Sequence, residues 1–241
     1  FNVTTGTMTQ IGPTAAIGAT EFNTGYVSCL AVHQGRVFAG TERLGNGAGE
    51  VYMFRIGQDT TWTLDEAFGA NYNVHSLAVF RGLLYAGMRT LLTGTPAIYV
   101  RSNVGTWATS LTGGAASDGF SVFTALTVFK DNLFALSYED ALLDVSERIT
   151  IRRFDGTTWT TVYTLDEGGQ ESRIQRRLGG LGIVAPDESA LYFVIHETDA
   201  GATTVANEDG IILRSTTGAA ASWTEVDTFT NLRGVIGFIR A

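Results

Sequence analysis

Apolar and polar residues alternate along most of the chain in short runs, and Gly, Asn and Asp separate the runs. VSCLAV at 27–32 and RVFAGT at 36–41 are two such runs. A period of two is typical of β-strands, whereas the period of about 3.6 residues expected of helices is nearly absent. The pattern therefore predicts an all-β protein built from many short strands.

The strand pattern repeats four times. Each copy contains four runs in one order, named A to D, and the first copy reads VSCLAV, RVFAGT, EVYMFR and TWTLDE. A leucine in run A and a tryptophan opening run D mark equivalent places: Leu30, Leu77, Leu126 and Leu181, and Trp62, Trp107, Trp159 and Trp223. A repeat of about 50 residues with four strands is the signature of a β-propeller. We expect such a ring, with each tryptophan packed between neighbouring blades.

The two ends of the sequence predict a further blade. Residues 1–11 fit runs C and D, with Met8 in the place of Trp159, and residues 232–239 fit run A. We therefore expect a β-propeller of five four-stranded blades, the fifth shared between N-terminal and C-terminal strands. Its run B would come from residues 13–21 or from a few further residues, or that blade has three strands. Such closure protects sheet edges that would otherwise pair with other chains. Residues 1–241 would then form a single β-propeller domain; four blades plus a flap, or a module of a longer chain, are the alternatives.

Three of the turns between runs C and D share an outline. The matching residues are Ser215, Gly218 and Trp223 in one blade, and Ser102, Gly105 and Trp107 in another. This outline resembles the Asp-box, or BNR, repeat, whose form is roughly S-x-D-x-G-x-x-W. Thr217 and Val104 stand where Asp is usual, and only Asp155 keeps an acid beside its glycine. The resemblance implies a propeller and leaves the activity open.

The loops predict where binding groups lie. In a propeller the B–C and D–A connections lie on one face, and the A–B and C–D turns on the other. The B–C loops are long, as in HETDAGATTVANEDG at 196–210, whereas the A–B turns are as short as HQG at 33–35. Long loops on a rigid scaffold usually carry function. We therefore expect the working surface on this long-loop face.

Ligand-binding residues are expected on the long-loop face, at the channel mouth and in the B–C loops. Aromatic, arginine and acidic side chains there can hold a sugar or a polar peptide by stacking and hydrogen bonds. The candidates are Tyr26, Tyr72, His75, Glu139, Asp140, Arg173, Arg176, His196, Glu197 and Arg233. Glu42 and Arg89 lie in the same B–C loops. The alternative interpretation of all these residues is an ordinary solvated rim without a binding role. No residue is assigned a catalytic role.

Composition narrows the classes of function. The formal net charge of −8 argues against nucleic acid as a partner, since phosphates require clustered Lys and Arg. No apolar run approaches the ~18 residues of a membrane helix, so no membrane insertion is expected. The single cysteine, Cys29, forms no intrachain disulfide and is expected to be a buried core residue. No cofactor is expected, although Asp199, Glu208 and Asp209 offer oxygen ligands of the kind that Ca²⁺ takes.

These observations favour a non-enzymatic extracellular binding or interaction module. A surface adhesin or a phage tail or fibre component, at a cell or virion surface, is the type we expect. Its long-loop face would contact a glycan or protein partner, including other subunits of a larger assembly. Two alternatives stay open: a carbohydrate-active enzyme, either a glycosidase or a lyase with carboxylates at the channel mouth, and a purely structural subunit of a large assembly.

Overall fold

The computed structural model describes residues 25–43, 48–70, 72–90, 95–112, 121–139, 146–168, 176–199 and 209–230. Within these ranges the chain forms sixteen β-strands and one short 3-10 turn, Ala220–Ser222, so the all-β prediction is confirmed. The strands are β1 Gly25–His33, β2 Arg36–Arg43, β3 Ala48–Arg55, β4 Thr63–Ala70, β5 Tyr72–Phe80, β6 Leu83–Thr90, β7 Ala97–Arg101, β8 Trp107–Thr112, β9 Ser121–Phe129, β10 Asn132–Glu139, β11 Ser146–Phe154, β12 Trp159–Gly168, β13 Arg176–Val184, β14 Leu191–Asp199, β15 Asp209–Ser215 and β16 Trp223–Thr230.

The described strands form four consecutive antiparallel units, β1–β4, β5–β8, β9–β12 and β13–β16, in which each strand pairs with the next. These units 1 to 4 coincide with the four sequence repeats and keep the predicted order A to D. Their first strands lie against one another, β1 with β5, β5 with β9, and β9 with β13. One bridge, between Arg89 and Val122, also links β6 to β9. The result is a propeller-like arrangement of curled sheets around their first strands.

The hydrophobic core lies between the units rather than inside any one of them. Phe38 and Val51 of unit 1 share a buried cluster with Leu84 and Met88 of unit 2, and similar clusters join units 2 and 3 and units 3 and 4. A period of two sends alternate side chains to opposite faces of each sheet, so a middle sheet needs a neighbour on both faces. Each fully buried large side chain contributes about 1.5–3 kcal/mol to folding.

A β-bulge interrupts the first strand at the same place in units 1 to 3. The extra residues are Ser28, His75 and Thr124. A bulge places two residues opposite one and re-aims the side chains around it. In unit 2 the neighbouring His75 and Ser76 both reach β9, since the Ser76 hydroxyl donates to the Phe123 carbonyl at 3.1 Å and His75 Nδ1 lies 3.3 Å from the Thr124 carbonyl.

Unit 4 departs from this pattern. β13 pairs with β14 without interruption, and Gly182 lies opposite Phe193. Gly182 therefore takes the place that Leu77 has in unit 2, and the sequence-based match of Leu181 to that leucine is wrong by one residue. The physical reason is close packing, since a Cβ at residue 182 would collide with the Thr127 side chain of β9.

The Asp-box-like turns are closed by their own side chains. Asp155 Oδ1 accepts hydrogen bonds from the backbone amides of Thr157 and Thr158 at 2.8 and 2.9 Å, which lowers the pKa of Asp155. The Ser215 hydroxyl accepts from the amide of Gly218 at 2.7 Å, where φ is +72°. Positive φ at this position favours glycine. These turns lie at the end of the units away from the long loops, and their role is to stabilise the hairpins between the third and fourth strands.

Three of the four tryptophans, Trp107, Trp159 and Trp223, contact the preceding unit, as the sequence predicts, whereas the ring contact of Trp62 is with Phe54 of its own unit. Trp107 of unit 2 lies edge-on to Phe68 of unit 1, with ring centroids 5.4 Å apart. Trp223 of unit 4 contacts Phe134 and Tyr163 of unit 3 at 6.2 and 6.3 Å. The fourth strand of every described unit also contains a bulge, at Asp65, Ser110, Val162 and Val226.

Candidate functional site

The predicted binding residues fall into three groups. Among the described side chains are Tyr72 and His75, both half-buried near the start of β5. The backbone alone is described for a second group at strand ends on the long-loop face, namely Tyr26, Glu139, Arg176, His196 and Glu197. Asp140, Arg173 and Arg233 lie outside the described residues, so for these two groups the site remains a prediction.

The described site is centred on an ion pair between units 1 and 2. Glu42 near the end of β2 and Arg89 near the end of β6 occupy equivalent places in the two repeats, and Arg89 Nη1 donates to Glu42 Oε1 at 2.9 Å. The Glu42 side chain is 5% exposed and that of Arg89 is 24% exposed. The Glu42 carboxylate is thus inside the protein, whereas the Arg89 side chain is partly open to solvent. Arg89 is therefore the more accessible member of the pair.

His75, the extra residue of the β5 bulge, is near enough to this pair for both charges to affect it. Burial lowers the pKa of His75; the nearby Glu42 carboxylate raises it, and the Arg89 guanidinium lowers it. The net shift is downward, so the imidazole is neutral near pH 7. A neutral imidazole donates from one nitrogen and accepts at the other. With Nδ1 donating to the Thr124 carbonyl, Nε2 is the nitrogen that can take a proton.

β1, the first strand of unit 1, stabilises the contact between units 1 and 2 and does not supply a nucleophile from Ser28 or Cys29. The Ser28 hydroxyl donates to the Val74 carbonyl and lies 3.2 Å from the Gly40 carbonyl, so it ties β1 to β5. Burial raises the pKa of Cys29 to about 11, which leaves the thiol protonated at neutral pH. Cys29 packs half-buried against the cluster between units 1 and 2, as a core residue, although it is less buried than the sequence predicts.

Glu50, on the same unit as Glu42, lies on the other face of the sheet. Tyr52 is opposite Ala39, and its hydroxyl donates to Glu50 Oε2 at 2.8 Å. Side chains alternate along strands, so Glu50 shares a sheet face with Tyr52 and Ala39, whereas Glu42, three residues after Ala39, points to the opposite face. The two carboxylates therefore do not flank one cleft.

Sequence reasoning placed Glu42 and Arg89 in the long loops but did not select them as site residues. A signal was present, since the two oppositely charged residues occupy the same place in consecutive repeats. Adjacent repeats in a propeller-like ring bring equivalent positions side by side. A charge reversal between consecutive repeats is therefore a candidate inter-unit ion pair.

The described ranges contain neither a cluster of metal-binding side chains nor a membrane-spanning helix. No group of three or more His, Cys, Asp and Glu side chains in those ranges is placed to hold a metal ion. The side chains of Asp199, Glu208 and Asp209 lie outside the described part, so a calcium site there remains a prediction. No helix in the described ranges has the length and apolar character needed to cross a membrane.

No protein-family model and no curated protein matches this sequence. Solved structures with a similar arrangement include a thermostable family-43 glycoside hydrolase, at 8% identity and a TM-score of 0.48 over 83% of this chain and 72% of that chain. The Cellvibrio cellulosa α-L-arabinanase complexed with arabinohexaose matches at 11% identity and a TM-score of 0.41 over 79% of this chain and 74% of that chain. A neuraminidase-like protein of A/flat-faced bat/Peru matches at 9% identity and a TM-score of 0.40 over 88% of this chain and 61% of that chain.

These comparisons correct the main functional expectation. The favoured interpretation, a non-enzymatic extracellular adhesin or phage tail or fibre module, is wrong: the similar structures are named as glycoside hydrolases and a neuraminidase-like protein. The alternative, a carbohydrate-active enzyme, stays a prediction. The extracellular or virion location and the partner in a larger assembly stay predictions.

Proposed function

We propose that this protein is a carbohydrate-active enzyme whose catalytic centre lies on the long-loop face, where Glu42, His75 and Arg89 meet. The observation that carries the proposal is the partly buried Glu42–Arg89 ion pair near an imidazole of lowered pKa. Cleaving a glycosidic bond requires a group that exchanges a proton near neutral pH and a group that stabilises developing charge. His75 is suited to the first task and Arg89 to the second.

The division of roles follows from exposure. The Arg89 side chain is 24% exposed, so part of it can contact substrate, and Glu42 fixes its position. Glu42 is nearly inaccessible and acts as a positioning residue for Arg89. The charge of Glu42 also offsets that of Arg89, so the pair is less costly to bury than either ion alone.

The test is release of new reducing ends from a panel of neutral and acidic polysaccharides. Replacing His75→Gln or Arg89→Met should lower the rate about 100-fold, the size expected for losing an acid–base or charge-stabilising group. The matched control is Asp59→Asn, since Asp59 forms an exposed ion pair with Arg55 at 2.7 Å on the opposite face. An inactive parent on every polysaccharide, or variants as active as the control, would contradict the proposal.

For the architecture, we propose five four-stranded blades in one domain, with residues 1–11 and 232–239 contributing the fifth. Exposed apolar side chains on β1 support this count. Val27 is 42% exposed, whereas its equivalents Val74 and Phe123 are fully buried by the preceding unit. Leu30 is likewise 62% exposed. A run A strand supplied by residues 232–239 would cover this strip.

Charge placed on the strip tests the five-blade count. Leu30→Asp should lower the thermal midpoint of the full chain, because a covered carboxylate without a partner is costly. Val104→Asp is the control, since Val104 is 87% exposed in a turn on the opposite face. Equal midpoints for the two variants would show that nothing covers Leu30 and would favour an uncovered β1.

A further inference from the structure

We propose that residues 1–11 of this chain dock between the outer faces of units 4 and 1, with Met8 packed on Val226 and Ile11 packed against Trp62. This inference rests on the five-blade architecture proposed above and deepens it, since it names the contacts that close the ring. Residues 1–11 lie outside the described residues, whereas Val226 and Trp62, the residues that they would meet, are described.

One contact recurs between consecutive described units. A tryptophan stands at the start of the fourth strand of every described unit, and the bulged residue of that strand follows three positions later. The tryptophan of one unit meets the bulged residue of the unit before it. The three described pairs are Trp107 with Asp65, Trp159 with Ser110, and Trp223 with Val162. Each unit thus presents a tryptophan on one side and a receiving residue on the other.

The described units leave one half of this contact at each end. Val226, the receiving residue of unit 4, is 48% exposed, whereas its equivalent Val162 is 4% exposed in a buried cluster with Trp223. At the other end no unit precedes unit 1 among the described residues, and the ring contact of Trp62 is with Phe54. Because Val226 stays exposed, Trp62 does not cover it as Trp223 covers Val162. A further unit is needed to complete both halves.

The N-terminal segment has apolar residues at the two positions required. Residues 1–11 match runs C and D of the repeat, with Met8 in the place of the tryptophan. The spacing of three positions then makes Ile11 the bulged residue. Methionine is unbranched and adapts to irregular apolar gaps, so it can fill on Val226 the space that an indole fills on Val162. Ile11 would give Trp62 an apolar partner of the kind that Val162 gives Trp223.

The chain that follows this segment is long enough to reach unit 1. Residues 12–24 join Ile11 to the start of β1. Between β4 and β5 the same kind of connection consists of residue 71 alone. An extended chain gains about 3.3 Å per residue, and four strands side by side are about 15 Å wide. The connection therefore crosses a blade with length to spare.

A second copy of the chain is the competing occupant, since Trp62 of one copy would fit Val226 of another. Such a head-to-tail contact builds rings or filaments of chains. A segment tethered to its own chain has an effective concentration on the order of 1 mM, so it outcompetes a second copy at ordinary protein concentrations. The expected link at Val226 is therefore within one chain.

The experiment uses the full chain in a Cys29→Ala background, because Cys29 is the only cysteine. Met8→Cys with Val226→Cys is treated with a short bismaleimide, and linked peptides are identified by mass spectrometry. Val162→Cys with Trp223→Cys is the reference, and Met8→Cys with Val104→Cys is the control, since Val104 is 87% exposed in a turn of unit 2. We expect a link within one chain, at least about 10-fold above the control, because docking raises the effective concentration.

Three results would overturn the inference. A link between chains would assign Val226 to a second copy. A link in a Trp62→Cys with Val226→Cys variant would show that units 1 and 4 close directly. The third is the absence of the Met8–Val226 link when the reference forms. If Leu30→Asp still lowers the thermal midpoint in that last case, the five-blade count stands and other residues supply the fourth strand of the fifth blade. If Leu30→Asp has no effect either, both proposals fail.

A charge pair tests the same contact without cysteines. Val226→Asp and Met8→Lys should each lower the thermal midpoint, because each buries a charge without a partner. The double variant should recover at least about half of the summed loss, since the two charges then lie opposite each other. Val104→Asp with Met8→Lys is the control and should show no recovery. Additive losses in the double variant at Val226 would contradict the contact.

Discussion

The contact between units 1 and 2 and the contact between units 3 and 4 involve the same strand positions but differ in chemistry. In the first, the tryptophan that opens the fourth strand meets the bulged residue of the preceding unit, and Trp107 Nε1 donates to Asp65 Oδ2 at 2.8 Å. In the second, the bulged residue is Val162, and the buried Nε1 of Trp223 has no hydrogen-bond partner among the described residues. One contact is ionic and the other apolar.

The ionic contact is extensive. Arg101 binds both oxygens of Asp65 at 2.7 Å, each side chain is only 5% exposed, and the guanidinium lies 5.2 Å from the Phe38 ring centroid. Asp65 therefore accepts from an arginine and a tryptophan at once. Its charge is fully satisfied inside the protein, as a buried carboxylate requires.

The apolar contact depends on aromatic packing. Trp223 lies 5.7 Å from Phe193 and 6.2 Å from Phe134, in the same buried cluster as Val162. The contact between units 2 and 3 is intermediate, because Trp159 Nε1 donates to the Ser110 hydroxyl at 3.1 Å. Packing of the tryptophan thus sets how neighbouring units lie against each other. The bulged position opposite the tryptophan accepts a charged, a hydroxyl-bearing or an apolar residue.

The largest expected effect comes from breaking the ionic contact. Asp65→Ala leaves Arg101 buried without its carboxylate and Trp107 without its acceptor, and it should lower the free energy of unfolding by about 3–5 kcal/mol. Urea unfolding measures the loss. Asp59→Ala is the control, because the Asp59–Arg55 pair is exposed and should change stability little. Equal losses of unfolding free energy in the two variants would mean that the buried pair contributes no more to stability than the exposed pair.

Converting the ionic contact into an apolar one should recover most of that loss. The double variant Asp65→Val with Arg101→Met removes both charges and leaves side chains of the kind found between units 3 and 4. Replacing a buried ion pair with apolar residues is often neutral, so we expect stability within about 1 kcal/mol of the parent. A double variant as unstable as Asp65→Ala would show that the charges themselves are required.

A smaller effect is expected in the intermediate contact. Ser110→Ala removes the acceptor for Trp159 Nε1 and should cost about 1 kcal/mol, the usual value of one hydrogen bond. Measuring the same change in a Trp159→Phe background isolates the bond in a double-mutant cycle. The serine substitution should then cost almost nothing; an unchanged cost would assign the effect to Ser110 alone.

The smallest effect, and the only gain, is expected in the apolar contact. Val162→Thr keeps the shape of the side chain and offers a hydroxyl to the unpartnered Nε1 of Trp223. We expect a gain of about 0.5–1 kcal/mol by thermal unfolding, since a buried unpaired donor is costly. In a Trp223→Phe background the same change should destabilise the protein. A loss in both backgrounds would place the hydroxyl out of reach of the indole.

Much of the fold could be predicted because the residues that pack between sheets recur at regular spacings along the sequence. The spacing of Leu30, Leu77 and Leu126 and of the tryptophans identified the repeats and their strand order before any contact was known. The bulges were missed, although a trace of them exists: VSCL, VHSL and FTAL each place two residues between apolar anchors, where strict alternation requires one or three. LGGL at 178–181 of unit 4 has the same spacing, yet β13 has no bulge, so this spacing alone does not predict one.

The candidate site was predicted only in part. His75 was selected from its place at the start of a first strand, whereas Glu42 and Arg89 were passed over in favour of more obvious charged loops. An ion pair across 47 positions depends on the relative placement of two units, and residue types alone do not specify that. The exposure of the apolar β1 strip, Val27 and Leu30, could not be predicted either, since the equivalent residues of units 2 and 3 are also apolar but are buried or half-buried.

By itself, the sequence determined the all-β class, the four repeats with their strand order, and the tryptophans as packing residues, because each follows from local alternation and spacing. Only the tertiary structure decided where the bulges fall, that His75 faces β9, and that Glu42 holds Arg89. These depend on how one curled sheet lies against the next. In that contact a shift of one residue turns a side chain from core to solvent, and charged groups separated by a whole repeat come within hydrogen-bonding distance.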